Sequence, residues 1–150
     1  MGRDRESRHA SLLKSSPVPT VLIVAGSDSS CGAGVSADLE TVRGMGCRPL
    51  LAVTSVTAQT DETFLVSHPI PPLVLRAQLE ASFQQAGDGI VAVKVGMLPD
   101  ETSVETVSEF LERRDLPNIV IDPVLASTSR GPLAKEAGFA SHFSTADFGP

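Results

Sequence analysis

The feature that most constrains this chain is a run without a single polar side chain, Val21-Leu22-Ile23-Val24-Ala25, closed by Gly26 and followed by a polar, glycine-rich stretch. An unbroken apolar run rich in β-branched residues, with no alternation, is a strand covered on both faces, and such strands belong to parallel sheets sandwiched between helices. The pattern then recurs. Gly32-Ala33-Gly34 opens a segment with Val35, Leu39 and Val42 at helical spacing, closed by Gly44 and Gly46. Leu50 to Thr57 reads as a second strand, and after a polar loop Pro71-Pro72 marks a helix start with Leu75, Leu79, Phe83 and Ala86 as its buried stripe. Ile90 to Val95 is a third strand, stopped by Gly96. Pro99-Asp100 starts a further helix with Val104, Val107 and Leu111 inward, and Ile119-Val120-Ile121 is a fourth strand ending at Asp122-Pro123. Strands alternating with helices predict an α/β fold whose parallel strands are joined by right-handed crossovers.

With 150 residues, 41% of them apolar, the chain is bounded to one domain with enough material for a core. Residues 1–19 end in Ser15-Ser16-Pro17-Val18-Pro19, carry no apolar period and read as a loose extension. Residues 129–150 show no strand pattern and read as an atypical tail. A strand as apolar as Ile119-Val120-Ile121 expects a neighbour, because an open edge templates aggregation. The expectation is therefore a sheet cut short after about four strands.

Charge excludes one class of partner. From Ser15 onward there are 8 cations against 16 anions, a balance that repels a phosphate backbone, and with no Trp, no Tyr and six Phe there is little on which bases could stack. Nucleic acid is not the expected ligand. No stretch approaches the roughly 20 apolar residues of a bilayer span, and the N-terminus lacks the apolar core of a secretory signal. The expectation is a cytoplasmic protein with no membrane partner, its two cysteines, Cys31 and Cys47, reduced.

Chemistry-bearing residues gather where the strands end. The loop from Gly26 to Gly34 fails the P-loop pattern, since no Lys-Ser/Thr pair follows its glycines, and Gly32-x-Gly34-x-x-Ala37 lies too far past the strand for a dinucleotide fingerprint. What it offers is a helix N-terminus whose N–H groups a ligand can approach; the alternative is a plain tight turn. Gln59 follows the second strand, at the edge where parallel sheets present ligand-binding groups. Its amide, donor beside acceptor, suits a heteroaromatic edge with a ring nitrogen next to an amino group, or else caps its loop. Met97 covers a flat ring or fills a core gap. Asp122 holds a hydrated Mg²⁺ or caps the next turn. Lys94 reads as a sheet-edge or snorkelling lysine. Glu101, Glu105, Glu109 and Glu112 read as a solvated helix face, and His9, His68 and His142 form no metal spacing.

Read together, four blocks carry a resemblance. They are Ala25-Gly26-Ser27-Asp28-Ser29-Ser30-Cys31-Gly32-Ala33-Gly34 with Ala37-Asp38-Leu39, then Thr57-Ala58-Gln59, then Val93-Lys94-Val95-Gly96-Met97-Leu98, then Ile121-Asp122-Pro123-Val124. In this order they resemble the hydroxymethylpyrimidine/phosphomethylpyrimidine kinases of thiamine biosynthesis, and more distantly the pyridoxal kinases. The resemblance implies a three-layer α/β/α ribokinase-like (Rossmann-like) fold, with residues 20–128 as the N-terminal part of the kinase domain. It implies ATP-dependent phosphorylation of hydroxymethylpyrimidine and its monophosphate, with Mg²⁺, and homodimers. Gly26, Asp38, Thr57, Gln59 and Met97 are then expected around the aminopyrimidine substrate, and Asp122 near the metal and phosphates. Cys31 stands where the family has glycine, and Thr60 where an Asn commonly follows the Gln. The Gly-Thr-Gly-rich anion hole and catalytic base of such kinases have no counterpart here. The expected outcome is loss of turnover, leaving a pyrimidine-binding half-domain or an inactive fragment.

Overall fold

The computed structural model describes residues 18–122. Within them the chain runs β1 (Thr20–Ser27), α1 (Gly34–Gly44), β2 (Arg48–Gln59), β3 (Phe64–Pro69), α2 (Pro72–Ala86), a 3-10 turn at Gly87–Gly89, β4 (Ile90–Val95), α3 (Glu101–Glu112) and β5 (Ile119–Ile121). The strands form one sheet in the order β3-β2-β1-β4-β5. β1 pairs in parallel with β2 on one side and β4 on the other, and β4 pairs in parallel with β5.

β1 is apolar throughout because both of its faces are covered. Leu22 and Val24 face α2 and α3, in a core with Leu75, Leu79, Val93, Val95, Val107, Phe110 and Leu111. Ile23 and Ala25 face α1, packing with Val35, Leu39, Val42 and Leu51. Helices on both faces of the sheet make the three layers. Each fully buried Leu or Ile contributes about 1.5–3 kcal/mol, so the central strand cannot carry a polar residue without loss on one side or the other. On α3 the apolar stripe faces inward, and Glu101, Glu105, Glu109 and Glu112 are all exposed, with Glu109 3.1 Å from Arg76 of α2.

β3 departs from the sequence reading, which took the stretch after β2 for a polar loop. It pairs antiparallel with β2, from Ser55 opposite Pro69 to Gln59 opposite Phe64, so the sheet has five strands, not about four, and is mixed. The reason is its position. An edge strand with one neighbour need not bury a face, and Leu65 and Val66 are both exposed, so no periodic apolar pattern marks it.

The topology creates the crevice. From β1 the chain steps outward to β2 and β3, and α2 then carries it back across the sheet to β4 on the other side of β1. The carboxyl ends of β1 and β4 therefore border a switch in winding direction, where open α/β sheets bind ligands. The expected extension at 1–19 and tail at 129–150 lie outside the described residues, apart from Val18 and Pro19. No helix among the described residues is long and apolar enough to cross a membrane.

Candidate functional site

The loop between β1 and α1 is organised by one carboxylate. Asp28 is buried; its Oδ1 accepts from the backbone N–H of Ser30 (2.8 Å) and the Ser30 hydroxyl (2.8 Å), and its Oδ2 from the N–H of Ala33 (2.9 Å). Burial alone would raise its pKa, but hydrogen bonds from the Gln59 side chain, Ser30 and Ala33 outweigh that and hold the carboxyl below its ordinary range. Ala33, the N-cap of α1, makes no side-chain cap bond of its own, so Asp28 supplies the cap from five residues upstream. The chain reaches this geometry through two left-handed residues, Cys31 at φ 62° and Gly34 at φ 59°. At Gly34 a Cβ would be driven into the carbonyl oxygen of Gly26, so glycine is required there twice over.

The loop is then fastened to β2. The Ser29 hydroxyl accepts from the N–H of Gln59 and donates to its carbonyl, both at 2.7 Å. The Thr57 hydroxyl donates to the carbonyl of Ser27 at 2.7 Å. With its backbone locked, Gln59 lays its side chain against Asp28. Its Oε1 is buried with no hydrogen-bond partner among the described residues. Opposite, Met97 is buried with its carbonyl held by the Thr54 hydroxyl at 2.6 Å. Its thioether lies over Gly26, where a Cβ would come within 3.1 Å of Cε and 3.3 Å of Sδ.

These groups surround a cavity of about 260 Å³, of a size for a single-ring ligand. Gly26, Asp38, Thr57, Gln59, Met97 and Asp122, gathered by sequence from five separate segments, all line it. Thr57 does so with its hydroxyl committed to Ser27. Sequence reasoning missed Lys94, which also lines the cavity, its Nζ 2.8 Å from Asp38 Oδ2. The usable signal is Lys94-x-Gly96 at a strand's carboxyl end: alternation puts both on one face of the sheet, with a bare backbone beside the ammonium. The structural role of Asp28 was also missed, because its three hydrogen-bonded partners depend on a fold that spacing does not reveal.

Comparison with known proteins decides the ancestry of this arrangement. A family model described as phosphomethylpyrimidine kinase matches residues 28–145. The chain belongs to the phosphomethylpyrimidine kinase family. Within that family, the hydroxymethylpyrimidine/phosphomethylpyrimidine kinase of Haemophilus influenzae is 40% identical over 121 residues, which are 79% of this chain and 43% of that relative. The crystal structure of the phosphomethylpyrimidine kinase from Clostridium difficile 630 superposes with a TM-score of 0.71 at 32% identity, covering 81% of this chain and 52% of that one. The pyridoxal kinase of Staphylococcus aureus in complex with ADP is similar at a TM-score of 0.63 and 30% identity, over 71% of this chain and 39% of that one. The ribokinase-like three-layer fold expected from the motifs is the fold of this family. The chain spans less than half the length of the curated kinases it matches.

Proposed function

We propose that this chain forms the acceptor site of an ATP-dependent kinase that phosphorylates hydroxymethylpyrimidine and its monophosphate. The observation that carries the reading is Gln59 Oε1, a buried acceptor with no partner among the described residues, at the wall of a ring-sized cavity. A buried amide oxygen left unpaired costs about 1–3 kcal/mol, and a ligand amino group removes that cost. The aminopyrimidine edge presents such a donor, and the Met97 thioether offers a polarisable surface for the ring face. Relatives named as hydroxymethylpyrimidine/phosphomethylpyrimidine kinases support the substrate class, and the ADP-bound pyridoxal kinase supports the nucleotide.

Asp122, at the end of β5, is the residue proposed to meet Mg²⁺. Among the described residues no group of three potential metal ligands exists, so the reading rests on Asp122 alone. A single carboxylate fits this ion, which keeps several waters and takes its remaining ligands from nucleotide phosphates. When bound, Mg²⁺ neutralises charge on the transferring phosphates. Homodimerisation and a cytoplasmic location belong to the same proposal.

Isothermal titration with hydroxymethylpyrimidine tests the reading. Binding is expected, and Gln59→Ala is expected to weaken it by about tenfold or more. No binding by the wild type, or equal binding by Gln59→Ala, overturns the proposal; tighter binding of pyridoxal moves the chain to the related kinases. ADP release in the presence of ATP and Mg²⁺ then separates turnover from binding without turnover.

A further inference from the structure

Among the described residues Lys94 is the one cation on the cavity wall, and the function proposed above gives it no task. Its Nζ donates to Asp38 Oδ2 at 2.8 Å and lies 3.9 Å from Asp122 Oδ2. Those carboxylates come from different layers, Asp38 from α1 and Asp122 from the end of β5. To reach them, the Lys94 side chain runs along the strand over Gly96. A Cβ at position 96 would sit 2.8 Å from Lys94 Nζ and 3.1 Å from the Cβ of Ala25. The bare backbone at Gly96 is therefore the space in which the ammonium lies. With side-chain exposures of 27% and 22%, the Lys94–Asp38 pair is far from the freely solvated contacts whose worth is near zero.

We propose that Lys94 is a positioning residue that holds the Asp38 carboxylate in one orientation on the cavity wall, with Gly96 kept free of a side chain to admit the ammonium. The identity of the ligand in this inference rests on the aminopyrimidine reading. An aspartate on a helix has several staggered rotamers, and the ammonium selects one. Asp38 then meets the ligand as a preset acceptor, its ordering cost met during folding and not on binding. Lys94 acts through Asp38.

A double-mutant cycle of hydroxymethylpyrimidine affinity tests this by calorimetry on the full chain. Lys94→Met and Asp38→Asn are each expected to weaken binding by about tenfold, and the double variant no further than Asp38→Asn alone. Gly96→Ala, which keeps the lysine but displaces its ammonium, is expected to reproduce the Lys94→Met loss, and takes its place in the cycle if Lys94→Met does not fold. Unchanged binding by Lys94→Met, or losses that multiply in the double variant, overturns the proposal. If the wild type takes up no hydroxymethylpyrimidine, the aminopyrimidine reading fails instead. Urea unfolding of the same proteins then judges the pair: about tenfold coupling in the unfolding constant sustains the positioning role, and additive effects overturn it.

Discussion

Two strand-to-helix connections reach the same edge of this sheet and start their helices in opposite ways. After β4, Asp100 caps α3 locally, its carboxylate accepting from the N–H of Ser103 at 2.8 Å. After β1, the cap comes from Asp28, five residues before the N-cap Ala33, and the intervening chain is held in a wide loop through left-handed residues. The local cap fills the helix end with its own side chain. The remote cap leaves the first turn of α1 lining the cavity, through Ala33, Gly34, Ala37 and Asp38. A helix that only has to begin uses the short solution; a helix whose N-terminus borders the cavity uses the long one and accepts strain.

The largest test of that contrast is Gly34→Ala. The new Cβ meets the Gly26 carbonyl and the backbone is left-handed, so a loss of about 3 kcal/mol is expected in urea unfolding, with the cavity deformed. Next, Asp28→Ala is expected to cost about 2 kcal/mol against about 1 kcal/mol for Asp100→Ala, since three charge-assisted bonds outweigh one cap. Equal losses would erase the distinction between the two connections. The Asp28 comparison also has a pH signature. Its folded pKa lies below the ordinary value of 3.8, so its stabilisation is complete above about pH 4 and is lost as pH falls through the lower folded value. Thermal melts of Asp28→Asn are expected to lack that part of the acid-side decline. The smallest effect is a gain: Cys31→Gly relieves a left-handed non-glycine residue and is expected to stabilise by about 0.5–1 kcal/mol, read as a higher melting temperature.

Much of this is legible in the sequence. β1, β2, β4, β5 and all three helices announce themselves because burial on one or both faces forces an apolar pattern, as in Val21 to Ala25 or the Val104, Val107, Leu111 stripe. β3 did not, because an edge strand with exposed Leu65 and Val66 is under no such pressure. At the cavity, the residues inferred from motif order lie together, yet Lys94 reads in the sequence as a sheet-edge or snorkelling lysine. Its partner Asp38 is far away in sequence, and only the pairing of β4 beside β1, with Ile23 opposite Lys94, turns that side chain toward α1. Asp28 was passed over for a similar reason. A carboxylate in a polar loop is ordinary until its hydrogen bonds are seen.

The central place of β1 has a kinetic consequence. Thr20 sits opposite Arg48 on one side and Ile90 on the other, so one pairing closes a short loop and the other a much longer one, at a greater entropic cost. Since the cavity draws walls from both sides of β1, it does not exist until both closures are made. A molecule bound there then recognises only the completed sheet, and its effect is expected to fall on the rate of unfolding, leaving the rate of folding almost unchanged.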